Sequence, residues 1–220
     1  AERFRQPDRR RAFLLGCALL RSLISECTGS PPGRAELRLR PNRRPLHRSA
    51  RPYRLSLSVS HAGGWVFAAA CGGARTGLRL GIDIERRRRS LPARIDRRLP
   101  WAGGSSVDIR DWCLVEAALK ADGRGLPALG RLQVRGPHRG DLATTGAMAH
   151  RIRSRLITGL PAALVGAVAL ASPAIPMSHA SEPRKSTKAR HGGAAGNAGA
   201  VAKGRNAAWV KGRANPGTGS

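Results

Sequence analysis

Apolar residues at Phe13, Leu14, Cys17, Leu20, Leu23 and Ile24 recur at helical spacing. The pattern predicts a helix over 7–28, which Gly29, Pro31 and Pro32 bring to an end. Ala35 to Arg40 alternates as a short strand. Leu55, Leu57 and Val59 alternate with Ser56, Ser58 and Ser60 as a second strand, whose leucine–valine face is expected to point inward. A Gly63-Gly64 turn, an unbroken apolar run from Trp65 to Cys71, and a further strand from Leu78 to Glu85 complete what reads as an antiparallel meander. The segment from Arg86 to Ser106 reads as an irregular, solvated crossing. A second helix follows from about Val107 to Asp122, with Trp112, Val115 and Leu119 as its apolar stripe and Gly123 and Gly125 at its end. Short strands are expected near Leu132 to Arg135 and Ala162 to Ala171.

Composition divides the chain in two. Over 220 residues, 41% are hydrophobic and 4% aromatic, so a core has to be built from Leu, Val, Ile and Ala. From Met177 onward there are eight Lys or Arg, eight Gly and ten Ala with almost nothing to bury, which predicts a disordered basic tail over 177–220 behind a folded body over 1–176. Forty basic against thirteen acidic residues give a charge of +27, which selects for partners carrying phosphates or carboxylates. Only five of the basic residues are lysine, and an arginine skew of that size reflects codon composition as readily as binding. Cys17, Cys27, Cys71 and Cys113 form no CxxC pair and lie in or beside apolar runs, as buried thiols in a reducing cytoplasm do. The uncharged stretch Leu156 to Met177 is broken by Pro161, Pro173 and Pro176, against a membrane-spanning helix.

Against this basic background the acids are informative. Between Glu36 and Glu182 the only glutamates are Glu85 and Glu116. Asp83 and Glu85 stand two apart on a strand and so share a face, while Glu116 and Lys120 stand four apart on a helix and share a side. Three carboxylates converging from strand and helix would make an all-oxygen Mg2+ site. The plainer alternative pairs Asp83 and Glu85 with Arg86 to Arg89, and Glu116 with Lys120, on a solvated face. Likewise, the segment Ser58 to Trp65 is either a small-residue turn whose backbone N–H groups and His61 cradle a phosphate, or a hairpin with a surface histidine.

Several segments, taken in order, resemble the Sfp-type 4'-phosphopantetheinyl transferases. Ala1 to Arg5, Asp8 to Leu14 and Leu19 to Arg21 are similar to the family's first helix and its basic approach, and Arg44-Pro45 falls at its Gly-Lys/Arg-Pro motif. Leu57 to His61 is similar to the Ser-His motif through Ser60 and His61, and Gly81-Ile82-Asp83-Ile84-Glu85 to the Gly-Val/Ile-Asp-x-Glu motif. Trp112 to Gly125 resembles the Trp-x-x-Lys-Glu-Ala-x-x-Lys-x-x-Gly-x-Gly helix.

The resemblance covers roughly 1–135, with 162–171 more loosely similar. It implies an α+β fold of two similar halves, each a helix on a small antiparallel sheet, with coenzyme A bound between them. It implies a cytoplasmic, monomeric enzyme of secondary-metabolite biosynthesis. Such an enzyme transfers the 4'-phosphopantetheine arm of coenzyme A to a serine of an acidic acyl or peptidyl carrier protein and releases 3',5'-ADP. Asp83, Glu85 and Glu116 would then hold Mg2+, Glu116 would also help deprotonate the serine, and Lys120 would hold a phosphate. Arg44, Ser60, His61 and Lys120 would contact coenzyme A.

Val115 replaces the family's lysine before the glutamate, and the crossing after Glu85 lacks its acidic turn. The chain also begins without the family's upstream strand, so part of the first half is expected to be missing. A catalytically impaired relative and a basic nucleic-acid-binding protein are the alternatives; eight aromatics and no recognisable nucleic-acid motif weigh against the second.

Overall fold

A computed structural model of the chain describes residues 6–34, 37–38, 46–47, 55–72, 77–101, 107–174 and 207–213. Within them the fold is α+β, with one long helix on each of two five-stranded antiparallel sheets. Helix α1 (Pro7–Thr28) has proline at its start and ends where Gly29, at φ 69°, donates its N–H to the Ser25 carbonyl. Strands β1 (Leu37–Arg38), β2 (Leu46–His47), β3 (Leu55–Ala62) and β4 (Trp65–Gly72) follow in sequence and pair in that order. Gly63 and Gly64 both take positive φ, 57° and 78°, as a two-residue hairpin between β3 and β4 requires. Leu57, Val66, Ala68 and Ala70 pack against Leu20, Leu23 and Ile24 of α1.

Strand β5 (Arg79–Arg86) does not extend this sheet as the expected meander would. It opens the second sheet, whose order is β5-β9-β8-β7-β6, and pairs with β9 (Leu164–Pro173) some eighty residues downstream. Strands β6 (Leu132–Val134), β7 (Asp141–Thr144) and β8 (His150–Leu156) complete it. Neither β7 nor β8 stands out in the hydropathy pattern: Arg151, Arg153 and Arg155 are exposed along β8, while His150, Ile152 and Ser154 point into the core. The crossing after β5 is not wholly irregular either, since it contains a one-turn helix, α2 (Ala93–Asp96).

The serine face of β3 is buried as well. The Ser56, Ser58 and Ser60 hydroxyls accept the backbone N–H groups of Leu80, Ile82 and Ile84 at 2.8, 3.0 and 3.2 Å. A sheet edge that would otherwise leave three buried donors unpaired is thereby closed by side chains from the other sheet. Leu80, Ile82 and Ile84 in turn pack on Phe67, Ala69 and Cys71 of β4, so β4 is buried on both faces, in keeping with its unbroken apolar run.

Helix α3 (Ile109–Asp122) is set by an Asp108–Asp111 capping box at one end and by Gly123, at φ 83°, at the other. It lies on the second sheet through fully buried Ala117, Ala118 and Ala121 against Ala167, Ala169 and Ala171. Gly81 takes this close approach furthest: a Cβ there would sit 2.1 Å from the Ala117 carbonyl oxygen and 2.4 Å from the Ala121 nitrogen. At the C-terminal end of α3, buried Asp122 accepts from Arg124 Nε at 2.6 Å and Thr144 Oγ1 at 3.0 Å and meets His150 Nδ1 at 2.8 Å.

Within the expected tail the structure describes a strand. Residues 207–213 form β10, antiparallel to β4 from Ala207↔Cys71 to Arg213↔Trp65. The open edge of β4 offers a row of backbone partners, and Ala207-Ala208-Trp209-Val210 is short but β-competent, a signal outweighed in the sequence by the surrounding Gly, Lys and Arg. The rest of 177–220 lies outside the described residues, as does Arg44. No helix among the described residues is long and apolar enough to cross a membrane.

Candidate metal centre

Alternation along β5 puts Gly81, Asp83 and Glu85 on the face that meets α3, and the 3.6-residue period of α3 puts Glu116 and Lys120 on the side facing them. Because Gly81 lets the helix backbone down onto the strand, these side chains meet across a short gap. One carboxylate oxygen from each of Asp83, Glu85 and Glu116 lies within 4.8 Å of the others. Octahedral Mg–O bonds of about 2.1 Å place opposite ligands about 4.2 Å apart, so small side-chain adjustments bring the three into one coordination sphere.

Lys120 is not the partner of Glu116 alone. Its ammonium donates to Asp83 Oδ1 at 2.7 Å and to Ser60 Oγ at 3.1 Å, with Glu116 Oε1 further off at 3.9 Å. Ser60 also donates to Asp83 Oδ1 at 3.0 Å. Asp83 is therefore a buried, cross-braced carboxylate and not one of a solvated pair, while its second oxygen, Oδ2, has no hydrogen-bond partner among the described residues. An orphaned buried carboxylate oxygen beside two further carboxylates is a donor set that a hard divalent cation satisfies. The pairing with the following arginines expected on a solvated face is realised only at Glu85, which accepts from Arg89.

These residues line a cleft of about 720 Å³, bordered also by His61, Gly63, Arg86, Arg88 and Arg89. Its volume falls in the range of small-ligand sites. Burial, then the neighbouring Asp83, pushes the Glu116 carboxyl up to about 7 against the pull of Lys120. Glu85 moves up for the same two reasons, opposed by Arg89. Burial acts to lower Lys120, but Asp83 and Glu116 outweigh it, so the amine is held above its ordinary value and stays charged. The packing around the His61 ring, followed by the charges of Lys120 and Arg9, holds the imidazole below its ordinary value and so neutral at pH 7. Behind the site, burial and the nearby Asp83 raise the Cys113 thiol far above its ordinary value, making it an inert core group.

Ser60, His61, Asp83, Glu85, Glu116 and Lys120 are thus brought to one cleft, while Arg44 is not among the described residues. Two features of the cleft are not among the residues expected from the sequence: Gly81 as the spacer between strand and helix, and the bordering arginines Arg86, Arg88 and Arg89. The first had a local signal, a glycine in phase with two acidic residues on a strand; in a chain this rich in arginine the second had none. Comparisons of the chain with protein-family models and with curated protein sequences each returned no match.

Proposed function

We propose that the chain is a Mg2+-dependent 4'-phosphopantetheinyl transferase, which moves the phosphopantetheine arm of coenzyme A to a serine of an acidic acyl or peptidyl carrier protein and releases 3',5'-ADP. The observation that carries this reading is the convergence of Asp83, Glu85 and Glu116 within 4.8 Å, one of them with a buried oxygen that has no hydrogen-bond partner among the described residues. The resemblance of the Ser60-His61, Gly81 to Glu85 and Trp112 to Gly125 segments to the family's motifs supplies the substrate class. The helix-on-sheet pairs also support the family's two-halved fold.

Asp83, Glu85 and Glu116 would hold Mg2+, which when bound would supply screening of the pyrophosphate charge of coenzyme A and of the leaving phosphate. The remaining work falls to the chain's own groups. Lys120, fixed by Asp83 and Ser60, presents a permanent positive charge to a phosphate oxygen. Glu116, on the side of α3 that faces Asp83 and Lys120, helps take the proton of the attacking serine. Neutral His61 at the cleft wall donates an N–H to the 3'-phosphate end, a task shared with Arg44. Residues 1–176, with a charge of about +20, attract an acidic carrier. We place the enzyme in the cytoplasm as a monomer.

Val115, where the family has lysine, is fully buried in the core around α3. A second reading, nucleic-acid binding, is favoured by one feature, the exposed row of Arg151, Arg153 and Arg155 on β8. Retention on a coenzyme A resin in the presence of Mg2+, released by free coenzyme A, supports the transferase. Retention on DNA alone, falling steeply with salt, supports the alternative.

A further inference from the structure

We propose that Arg89 is a built-in counter-cation that competes with the divalent ion for the carboxylate cluster, so that loading the metal requires its guanidinium to leave Glu85. This rests on the metal centre described above and concerns its regulation. Arg89 stands four residues after Glu85, on the turn that follows β5, where its N–H donates to the Arg86 carbonyl at 3.0 Å. Its Nη1 donates to Glu85 Oε1, one of the carboxylates that would hold the ion.

The partners differ in their freedom. The Glu85 side chain is 13% exposed and the Arg89 side chain 46%, so the carboxylate is fixed in the cleft wall and the arginine is the one able to swing away. The other cation of the cluster cannot. Lys120 is held by two acceptors, Asp83 Oδ1 and Ser60 Oγ. Charge then decides the outcome. Asp83, Glu85 and Glu116 bring three negative charges when ionised and Lys120 and Arg89 two positive ones, so that these five groups sum to a single net negative charge. A divalent ion added to that cluster would leave it net positive, with a guanidinium beside the metal. With Arg89 turned out to solvent the cluster carries two negative charges, which the ion neutralises. Arg86 and Arg88 border the same cleft but have no ion pair among the described residues, so neither competes in this way.

The test is calorimetric titration of the full chain with Mn2+ and with Mg2+ at fixed pH and ionic strength. It compares the wild type with Arg89→Ala, Arg89→Gln and Arg88→Ala, each checked for an unchanged melting curve. Removing a competing unit charge a few ångströms from the ion should tighten binding by about 5-fold or more in both Arg89 variants, while Arg88→Ala stays within about 2-fold of the wild type. Wild-type binding with equal or weaker binding by the Arg89 variants would overturn the competition and leave the metal centre standing. An equal gain in Arg88→Ala would overturn it too, by showing a diffuse effect of charge. If no variant and no wild-type protein binds either ion, the metal centre fails and the inference with it.

Discussion

Replacing Gly81 with alanine tests in a single methyl group how the fold makes the site. The added Cβ would lie 2.1 Å from the Ala117 carbonyl oxygen, 2.4 Å from the Ala121 nitrogen and 3.0 Å from the Lys120 carbonyl carbon, all backbone atoms of α3. An ordinary carbon–oxygen contact is about 3.3 Å, so the helix has to withdraw from β5 by about 1 Å. Overpacking of this kind costs about 1–3 kcal/mol. Separating the buried alanine faces of α3 and β9 adds to that cost, and about 2–4 kcal/mol in total is expected. For a folded body of this size that corresponds to a fall in melting temperature of about 5–15 °C. The same withdrawal lengthens Lys120–Asp83 and moves Glu116 away from Asp83, so Mn2+ affinity measured by calorimetry at 15 °C, where the variant is still folded, should fall about 10-fold or more. A Gly81→Ala protein that melts with the wild type and binds the metal equally well would refute the close helix–strand contact on which the site depends.

Further expectations follow from single groups. Because the folded state holds the Glu116 proton up to about 7, well above its unfolded value, it binds more protons between those two values, and metal-free stability falls as pH rises through that window. Glu116→Gln should therefore flatten the pH dependence of urea unfolding between about pH 4.5 and 7 and be more stable than the wild type at pH 8; parallel wild-type and variant profiles would contradict the burial of this carboxyl. Ser58→Ala leaves the buried Ile82 N–H without its acceptor and should cost about 1–3 kcal/mol, whereas substitution of an exposed β8 arginine such as Arg151 should cost under about 0.5 kcal/mol in the same denaturation assay. Asp122, held below its ordinary value by Arg124, His150 and Thr144 in spite of burial, contributes stability above its unfolded pKa that is lost as pH falls through its folded one. Asp122→Asn should therefore cost about 3 kcal/mol at pH 7 and progressively less in acid, and an equal cost at both ends of the titration would be inconsistent with a charged Asp122.

Local features of the sequence account for the elements that were legible. Gly29 and Gly123 end α1 and α3 at the expected residues, and the Gly63-Gly64 pair marks the hairpin. What local pattern could not show is which sheet a strand joins. The partner of β5 is β9, and no residue near either strand encodes a pairing of that sequence separation. The same limit hid the serine face of β3, since period-two serines read as solvated until another strand's N–H groups are found against them. At the site, a two-residue and a four-residue spacing made the carboxylate faces readable. The attachment of Lys120 to Asp83, closer than its helical neighbour Glu116, depends on the approach at Gly81 and belongs to the tertiary structure.

Intact-mass spectrometry of an apo carrier protein incubated with the full chain, coenzyme A and Mg2+ decides whether the chain is a transferase. The expected product is a carrier heavier by one phosphopantetheinyl group, with 3',5'-ADP released in equal amount. The gain should be abolished by chelator and lowered about 100-fold or more in rate by Lys120→Ala, which removes the fixed charge facing the phosphate. Unmodified apo acyl and peptidyl carriers under these conditions, in the presence of a folded protein that binds Mn2+, would contradict the transferase assignment. A Lys120→Ala protein that turned over at the wild-type rate would remove Lys120 from the chemistry.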